Sequence, residues 1–417
     1  MLAIEADSKP NRTKIAILLS TIGPDALERY NHFKWDDSPN DPPNNPPVPD
    51  NDKHHVDQDT VPVKEPPRRV PFGLQDRLKL KFDLMEVIQK STNLQNHNLV
   101  IVEKKDGSLR LCLDARELNK AIKRENFLIP TVEDVTCRLS GKKMFTVIDL
   151  KDAFWQVPLS EESVSLTTFN TPFGRYFFKR MPFGLCCASE ILQKRVYQTF
   201  GDIDDVHVIA DDIIIASNSE EEADRTLIKL FKRAQEKNVK FNIAKLQLKK
   251  SEVSYMGNMI GSNGVKPDPS KVEAIVNMRE PECKKDIQCL IGMLNYLSQY
   301  IPDMSTVTAP MRSLLKADVP FVWNTEHEHA FNKVKEILST TPGLRLFDPN
   351  MKVQIQNDAS KTGIDACLLQ EGQPVAFYSK ALTPTEMNWF PIEYCIVCGR
   401  EMSALRLWAR GRSEIRP

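Results

Sequence analysis

The run Val206-His-Val-Ile-Ala-Asp-Asp-Ile-Ile-Ile-Ala216 sets two adjacent carboxylates, Asp211 and Asp212, between apolar stretches rich in β-branched residues. It reads as a hairpin presenting both acids at its turn. Like charges at one tight turn repel each other unless a cation or a cationic ligand sits there. Further upstream, Val147-Ile-Asp149 ends another apolar strand in a carboxylate. If the two strands are neighbours in one sheet, Asp149 and Asp211 converge, and hard oxygen donors of this kind suit Mg²⁺. Two such ions about 3.5–4 Å apart can activate an attacking hydroxyl and stabilise a departing pyrophosphate, the chemistry of nucleotide addition. Solvated acids capping strand ends would show the same residues. At the level of spacing both readings stand.

The elements that must position these acids are legible as periodicity. Leu99–Val102, Leu109–Leu113, Met144–Ile148, Val206–Ile209 and Ile213–Ala216 are short apolar runs bounded by Asp, Gly and Lys, and predict strands. Ser219–Lys237 places Leu227, Leu230, Phe231 and Ala234 at i, i+3, i+4 and i+7, which predicts an amphipathic helix. A second helical region, Ser270–Tyr300, is interrupted at Pro281. Strands mixed with packing helices, without a regular βαβ rhythm, point to an α+β architecture.

Composition frames this. The 417 residues carry 56 Lys+Arg against 56 Asp+Glu, a formal net charge of zero that by itself argues against a simple basic nucleic-acid-binding module. The zero is a sum of opposites. The first 65 residues hold 12 acidic and 7 basic side chains, net −5, leaving 49 basic and 44 acidic, net +5, in the rest. Between Asp36 and Asp50 lie six prolines spaced by Asn and Asp, too many fixed φ angles and missing donors for a packed element. No stretch approaches the roughly 18 apolar residues of a membrane helix, and no signal-peptide core opens the chain, so a soluble intracellular protein without a membrane role is expected. Nine scattered cysteines fit reduced core thiols, and Cys395-x-x-Cys398, lacking a second pair, reads as buried helical cysteines rather than a zinc site.

Several motifs in order resemble those of the reverse transcriptases of Gypsy-type LTR retrotransposons. They are Leu99-Val-Ile-Val-Glu-Lys-Lys-Asp-Gly-Ser-Leu-Arg-Leu-Cys-Leu-Asp-Ala-Arg-Glu-Leu-Asn-Lys120, the Asp149 segment, Thr167–Tyr176, Lys179-Arg-Met-Pro-Phe-Gly-Leu185, the Asp211-Asp212 turn and Tyr255-Met-Gly-Asn-Met-Ile260. The resemblance runs from about residue 56 to residue 411. It implies a right-hand polymerase of fingers, palm and thumb, followed by a connection and an incomplete RNase H-like α/β domain. The organisation it suggests is a Gag-like fragment over 1–36, a disordered Pro/Asn/Asp-rich linker over 37–60, fingers and palm over 61–266, thumb-like helices over 267–320, and connection plus RNase H-like domain over 321–411.

The resemblance also implies roles. Asp149, Asp211 and Asp212 match the catalytic triad, with Asp149 and Asp211 as principal ligands of two Mg²⁺ ions, or Mn²⁺ in their place. Phe154 matches the aromatic that lies under the incoming sugar and excludes a 2′-OH. Arg110 with Lys104 or Lys105 matches the cations that hold the triphosphate. Phe183 and Gly184 match the segment packing against nucleotide and template. An RNA template, a DNA primer-template and dNTPs are the partners this implies, in a cytoplasmic particle or the nucleus. Lysines 229, 232, 237, 240, 245, 249 and 250 either track phosphates or form a solvated helix face and strand edge.

There are departures. Ile209 stands where the family's turn carries an aromatic, which bears on the primer terminus and not on the metal ligands. Asp358 matches the first ligand of the RNase H-like domain, but Cys395 stands where the family has its Glu, and Glu393 falls about 200° around the predicted helix Ile392–Leu407. No Asp-Thr/Ser-Gly protease motif separates the Gag-like piece from the polymerase. These features predict a polymerase without competent RNase H activity, Asp358 and Glu393 being vestigial. The alternative is a silent or domesticated remnant that binds nucleic acid or a partner protein.

Overall fold

The structure, a computed structural model of the chain, describes residues 68–85, 87–91, 97–104, 107–340, 343–359 and 363–383. The expected Gag-like segment and Pro-rich linker, Lys105, Glu393, Cys395 and Cys398 lie outside the described residues. The chain divides into two compact units, one formed by Met1–Pro130, Ile148–Ile215 and Glu220–Leu246, the other by Thr131–Val147, Ala216–Ser219 and Gln247–Pro417.

In the first unit the strands, in chain order, are β1 (Ile88–Lys90), β2 (Asn98–Glu103), β3 (Leu109–Asp114), the end of β4 (Met144–Asp149), β5 (Phe169–Thr171), β6 (Gly174–Phe178), β7 (Val206–Ile209) and most of β8 (Asp212–Ser217). β2 and β3 form an antiparallel hairpin that pairs Asn98 with Asp114 and Glu103 with Leu109. Alternation over Leu109–Leu113 sends the three leucines Leu109, Leu111 and Leu113 inward and leaves Arg110 exposed. The buried face meets the helix Phe72–Leu84 through Leu78 and Phe82, and the sheet β1–β6–β5 through Ile88, Phe169 and Phe178. The rings of Phe82, Phe169, Tyr176 and Phe178 lie 4.8–6.2 Å apart, an aromatic cluster that adds to the burial of apolar area.

The sheet β7–β8–β4 is the scaffold of the site. Ile213, Ile214 and Ile215 are all buried, so both faces of β8 are covered and the strand reads as a continuous apolar run. The helix Ala188–Phe200 contributes buried Ile191, Leu192, Val196 and Phe200. The helix predicted over 219–237 spans Glu220–Glu236 and buries Ala223, Leu227, Leu230 and Ala234. Three glutamates in its first turn complement the helix dipole. The ring of Phe241 lies 6.2 Å from that of Phe200 and 5.8 Å from that of Phe231, so the segment following the helix is packed onto both.

In the second unit β9 (Gln247–Lys250) pairs antiparallel with β4, and β10 (Glu252–Tyr255), β11 (Asn258–Gly261) and β12 (Gly264–Pro267) form a meander. Met256 and Gly257 make the two-residue β10–β11 turn, both with positive φ, as the hairpin twist requires. The break expected at Pro281 separates the helices Pro269–Val276 and Lys284–Tyr296. The second of these buries Ile287, Leu290, Ile291 and Leu294 at i, i+3, i+4 and i+7. Helices Met304–Ser313 and Thr325–Thr340 precede the antiparallel sheet β13 (Gln354–Ala359), β14 (Gly363–Gln370) and β15 (Gln373–Ala381).

The described cysteines are all free. Burial pushes the thiols of Cys137 and Cys187 up to about 11, which keeps them protonated and inert. Cys283 and Cys289 depart from the core-thiol expectation and are exposed, because Cys283 caps the helix Lys284–Tyr296 and Cys289 lies on its outer face.

Candidate active site

β4 ends in Asp149, whose side chain is buried while its backbone is tied to its neighbours. The Leu150 N–H donates to the carbonyl of Asp211 at 2.9 Å, so the turn between β7 and β8 lies one residue from Asp149. The convergence of the two aspartates expected from sequence is thus built into the backbone. The turn is tighter than expected. Ile209 pairs with Asp212, leaving Ala210 and Asp211 as the two turn residues and making Asp212 the first residue of β8. Ala210 has φ +52°, a left-handed conformation uncommon for a residue with a Cβ. Ile209, at the place noted for its missing aromatic, is buried as an ordinary core side chain.

The fully buried Gln193 holds this turn. From the helix Ala188–Phe200 its Oε1 accepts from the Ala210 N–H at 2.5 Å, and its Nε2 donates to the Val208 carbonyl at 3.1 Å. One side-chain amide therefore satisfies one backbone group on each side of Ile209. Sequence reasoning missed it. The available signal was a polar residue at i with Val196 at i+3 and Phe200 at i+7, on a stripe that otherwise faces the core.

Charge is concentrated here. Burial, then the charges of Asp211 and Asp149, push the Asp212 carboxyl up to about 6, with Lys245 acting the other way. Asp211 is also raised, by burial first and then by Asp149, and is drawn down by Lys245 and Arg110. Lys245 donates to Asp149 Oδ2 at 2.8 Å, and that bond raises its ammonium above the ordinary lysine value. Lys245, one of the lysines expected to track phosphates or form a solvated edge, keeps a largely exposed side chain while its ammonium meets Asp149. Lysines 229, 232, 237, 240 and 250 remain exposed.

A second group of predicted residues is gathered beside β3. Phe154, in the 3₁₀ turn Ala153–Gln156, lies edge-on to Phe183 with centroids 4.9 Å apart, and the Arg110 guanidinium sits 5.3 Å from the same Phe183 centroid. Trp155 packs edge-on to Phe183 as well, at 6.2 Å. Phe183 is pinned through its carbonyl, which accepts from the Leu113 N–H at 2.7 Å. Gly184 follows with φ +108°, and a Cβ there would collide with the Leu113 carbonyl oxygen. Asn119, unremarked in the sequence, closes the loop by donating to the Gly184 carbonyl and accepting from the Cys186 N–H, each at 2.9 Å. Gly184→Ala is therefore expected to cost about 1–3 kcal/mol and to lower the thermal midpoint, since both the φ and the space are wrong for alanine. Lys104 is exposed at the β2–β3 turn, where its backbone N–H donates to Ser108 at 2.8 Å.

Asp358 lies elsewhere, on β13 in register with Asp365 of β14. Asp365 is a buried carboxylate that accepts from Ser379 Oγ and, at 3.4 and 3.5 Å, from Ser305 and Thr306. Burial is the main reason its carboxyl is raised. Sequence reasoning did not single it out.

The donor set at Asp149, Asp211 and Asp212 is all hard oxygen, which suits a divalent cation of the Mg²⁺ class. Among the described residues no three acidic, His or Cys side chains come close enough to chelate one ion unaided. A divalent ion held there would need further ligands from water or from substrate oxygens.

Comparison with known proteins follows this geometry. Residues 102–260 match the family "Reverse transcriptase (RNA-dependent DNA polymerase)", and residues 323–399 match the "RNase H-like domain found in reverse transcriptase". The chain is 33% identical over 315 residues to the retrovirus-related Pol polyprotein from transposon 297 of Drosophila melanogaster, covering 74% of this chain and 30% of that protein. It is 28% identical over 310 residues to the transposon Tf2-3 polyprotein of Schizosaccharomyces pombe, covering 73% and 23%. The chain thus spans under a third of the length of these relatives. In fold it is similar to the foamy viral protease-reverse transcriptase in complex with RNA/DNA hybrid, at TM-score 0.81 and 21% identity over 97% of this chain and 55% of that one. The same viral protein in complex with dsDNA gives TM-score 0.81 and 22% identity over 96% and 84%. The chain thus carries a reverse transcriptase domain followed by an RNase H-like domain and belongs to the reverse transcriptase family; its relatives are retrotransposon Pol polyproteins, with which the Gypsy-type motifs are consistent.

Proposed function

We propose that this chain is an RNA-directed DNA polymerase that extends a primer 3′-OH with dNTPs, on an RNA template or a DNA primer-template, inside the cell. The observation that supports it most is the junction of β4 with the β7–β8 turn, which sets Asp149, Asp211 and Asp212 at one end of a buried sheet. Asp149 and Asp211 are the residues to hold two Mg²⁺ ions, or Mn²⁺, with Asp212 assisting. The chemistry those ions supply when bound is neutralisation of charge on the attacking hydroxyl and the departing pyrophosphate.

The protein's own groups do the remaining work by placement. Exposed Arg110, held over the Phe183 ring, is a guanidinium fork directed at a triphosphate, with Lys104 adding charge from the same hairpin. Phe183, fixed through Leu113, supplies an apolar surface whose backbone a nucleotide can approach closely at Gly184. Phe154 is braced edge-on against that ring, and so cannot swing aside cheaply for a 2′-OH. Positioning and charge neutralisation carry most of such a reaction, since little covalent chemistry is asked of the protein.

Primer extension by the full chain on an RNA template, dependent on a divalent cation, tests this reading. Failure to incorporate dNTPs under any divalent cation would overturn it. Phe154→Ala is expected to lower the preference for dNTPs over ribonucleotides about tenfold or more, read as the ratio of kcat/KM values. An unchanged ratio would remove Phe154 from the sugar site.

A further inference from the structure

Lys245 differs from the other cations near the carboxylates in how it is mounted. Its loop is stitched to the end of β4 by backbone bonds. Leu150 and Phe241 form an antiparallel bridge, the Lys151 N–H donates to Lys240 at 3.0 Å, and the Asn242 N–H donates to the Asp149 carbonyl at 2.8 Å. Gln156 reinforces this, donating to the Lys240 carbonyl and accepting from its N–H, each at 2.9 Å. The 3₁₀ turn Ile243–Lys245 then starts from a base registered on Asp149 itself. The tip is another matter. The Lys245 side chain is 63% exposed, whereas that of Asp149 is 11% exposed. The ammonium thus reaches a buried oxygen with a side chain that is itself largely exposed.

The carboxylates of Asp149, Asp211 and Asp212 repel one another, and Lys245 is a cation touching the first of them directly, at 2.8 Å. The oxygen it touches belongs to a proposed metal ligand, and one carboxylate oxygen does not readily serve an ammonium and a divalent cation at once. We propose that Lys245 is the resident counter-ion of this site: it holds the Asp149 carboxylate in place while no metal is bound, and yields that oxygen when a divalent cation enters. The anchored loop keeps Lys245 within reach, and the exposed side chain lets it withdraw into water at little cost. Pre-organisation of Asp149 is obtained at the expense of metal affinity. This rests on the reading of Asp149 and Asp211 as metal ligands.

The test measures Mn²⁺ binding to the full chain, without nucleic acid or nucleotide, from the electron paramagnetic resonance signal of free Mn²⁺. Lys245→Met is expected to tighten binding about three- to tenfold, as removal of one nearby positive charge in a half-open site should. Lys245→Arg is expected to stay near the parent value. Asp149→Asn and Asp211→Asn are expected to weaken binding in the same assay. If they do so while Lys245→Met leaves binding unchanged or weaker, the counter-ion role is overturned and the ligand reading survives. If neither aspartate variant alters binding, the ligand reading falls and takes this proposal with it. A second readout needs no variant. Mn²⁺ should raise the rate at which an amine-acylating reagent modifies Lys245, followed by mass spectrometry of the peptide, because the ammonium is released from Asp149. No metal-dependent rise in that rate would also overturn the proposal.

Discussion

Asp211→Asn is expected to lower primer extension by about 10³-fold or more while leaving the thermal midpoint unchanged or slightly higher. The two halves of this result have different causes. Asparagine keeps the shape of the side chain and the backbone carbonyl that accepts from Leu150, so β4 and the turn stay joined. What is lost is an anionic oxygen donor at the point where charge must be neutralised. Stability moves the other way. Burial and Asp149 raise the Asp211 carboxyl in the folded chain, so its ionisation disfavours the fold once the pH is above its folded value. A neutral amide removes that repulsion at neutral pH. A fall in activity accompanied by a large drop in thermal midpoint would instead mean that Asp211 holds the turn together, and would weaken its assignment as a ligand. Primer extension measured beside differential scanning calorimetry separates the two.

Much of this site was legible before any coordinates, and the residues that were not share a reason. Asp149 and Asp211 announce themselves because short β-branched runs ending in acids are local patterns, and local patterns survive in a single sequence. The helix Glu220–Glu236 is legible for the same cause, since its apolar stripe lies within one element. Gln193 and Lys245 make contacts across 17 and 96 residues of chain, and no periodicity encodes those. Lys245 stood in a run of lysines that looked uniform. Only the stitching of residues 240–242 to β4 singles it out, and that stitching is backbone pairing, to which side-chain identity gives no clue. Gly184 was legible as a place for close approach, but the collision that enforces it involves the Leu113 carbonyl from another hairpin. Asp212 was placed in the turn because the sequence does not reveal that Ala210 adopts the positive φ of a two-residue turn closed by the Ile209–Asp212 pair.

Gln193→Leu should therefore be among the most damaging substitutions of a residue outside the carboxylate cluster, with kcat reduced about 10- to 100-fold and KM for dNTP nearly unchanged. Leucine fills a similar volume, so the cost is not a cavity. It is the loss of both partners at once, leaving the buried Val208 carbonyl without a bond at about 1–3 kcal/mol and the partly buried Ala210 N–H without its own. Ala210 also sits in a left-handed conformation that alanine resists, and without Gln193 the turn has less to hold it there. The Asp211 carboxylate would then be displaced or mobile, and a shift of about 1 Å can cost 10²-fold in rate. The split between kcat and KM matters, because Arg110, Phe154 and Phe183 are untouched and nucleotide capture should persist. A rescue follows from the same geometry. Glycine at position 210 accepts positive φ freely, so Ala210→Gly in the Gln193→Leu background should recover part of the lost stability, about 0.5–1 kcal/mol, and part of the rate. Loss of activity with no recovery in the double variant, or a KM effect as large as the kcat effect, would show that Gln193 supports the helix Ala188–Phe200 and not the turn that carries Asp211.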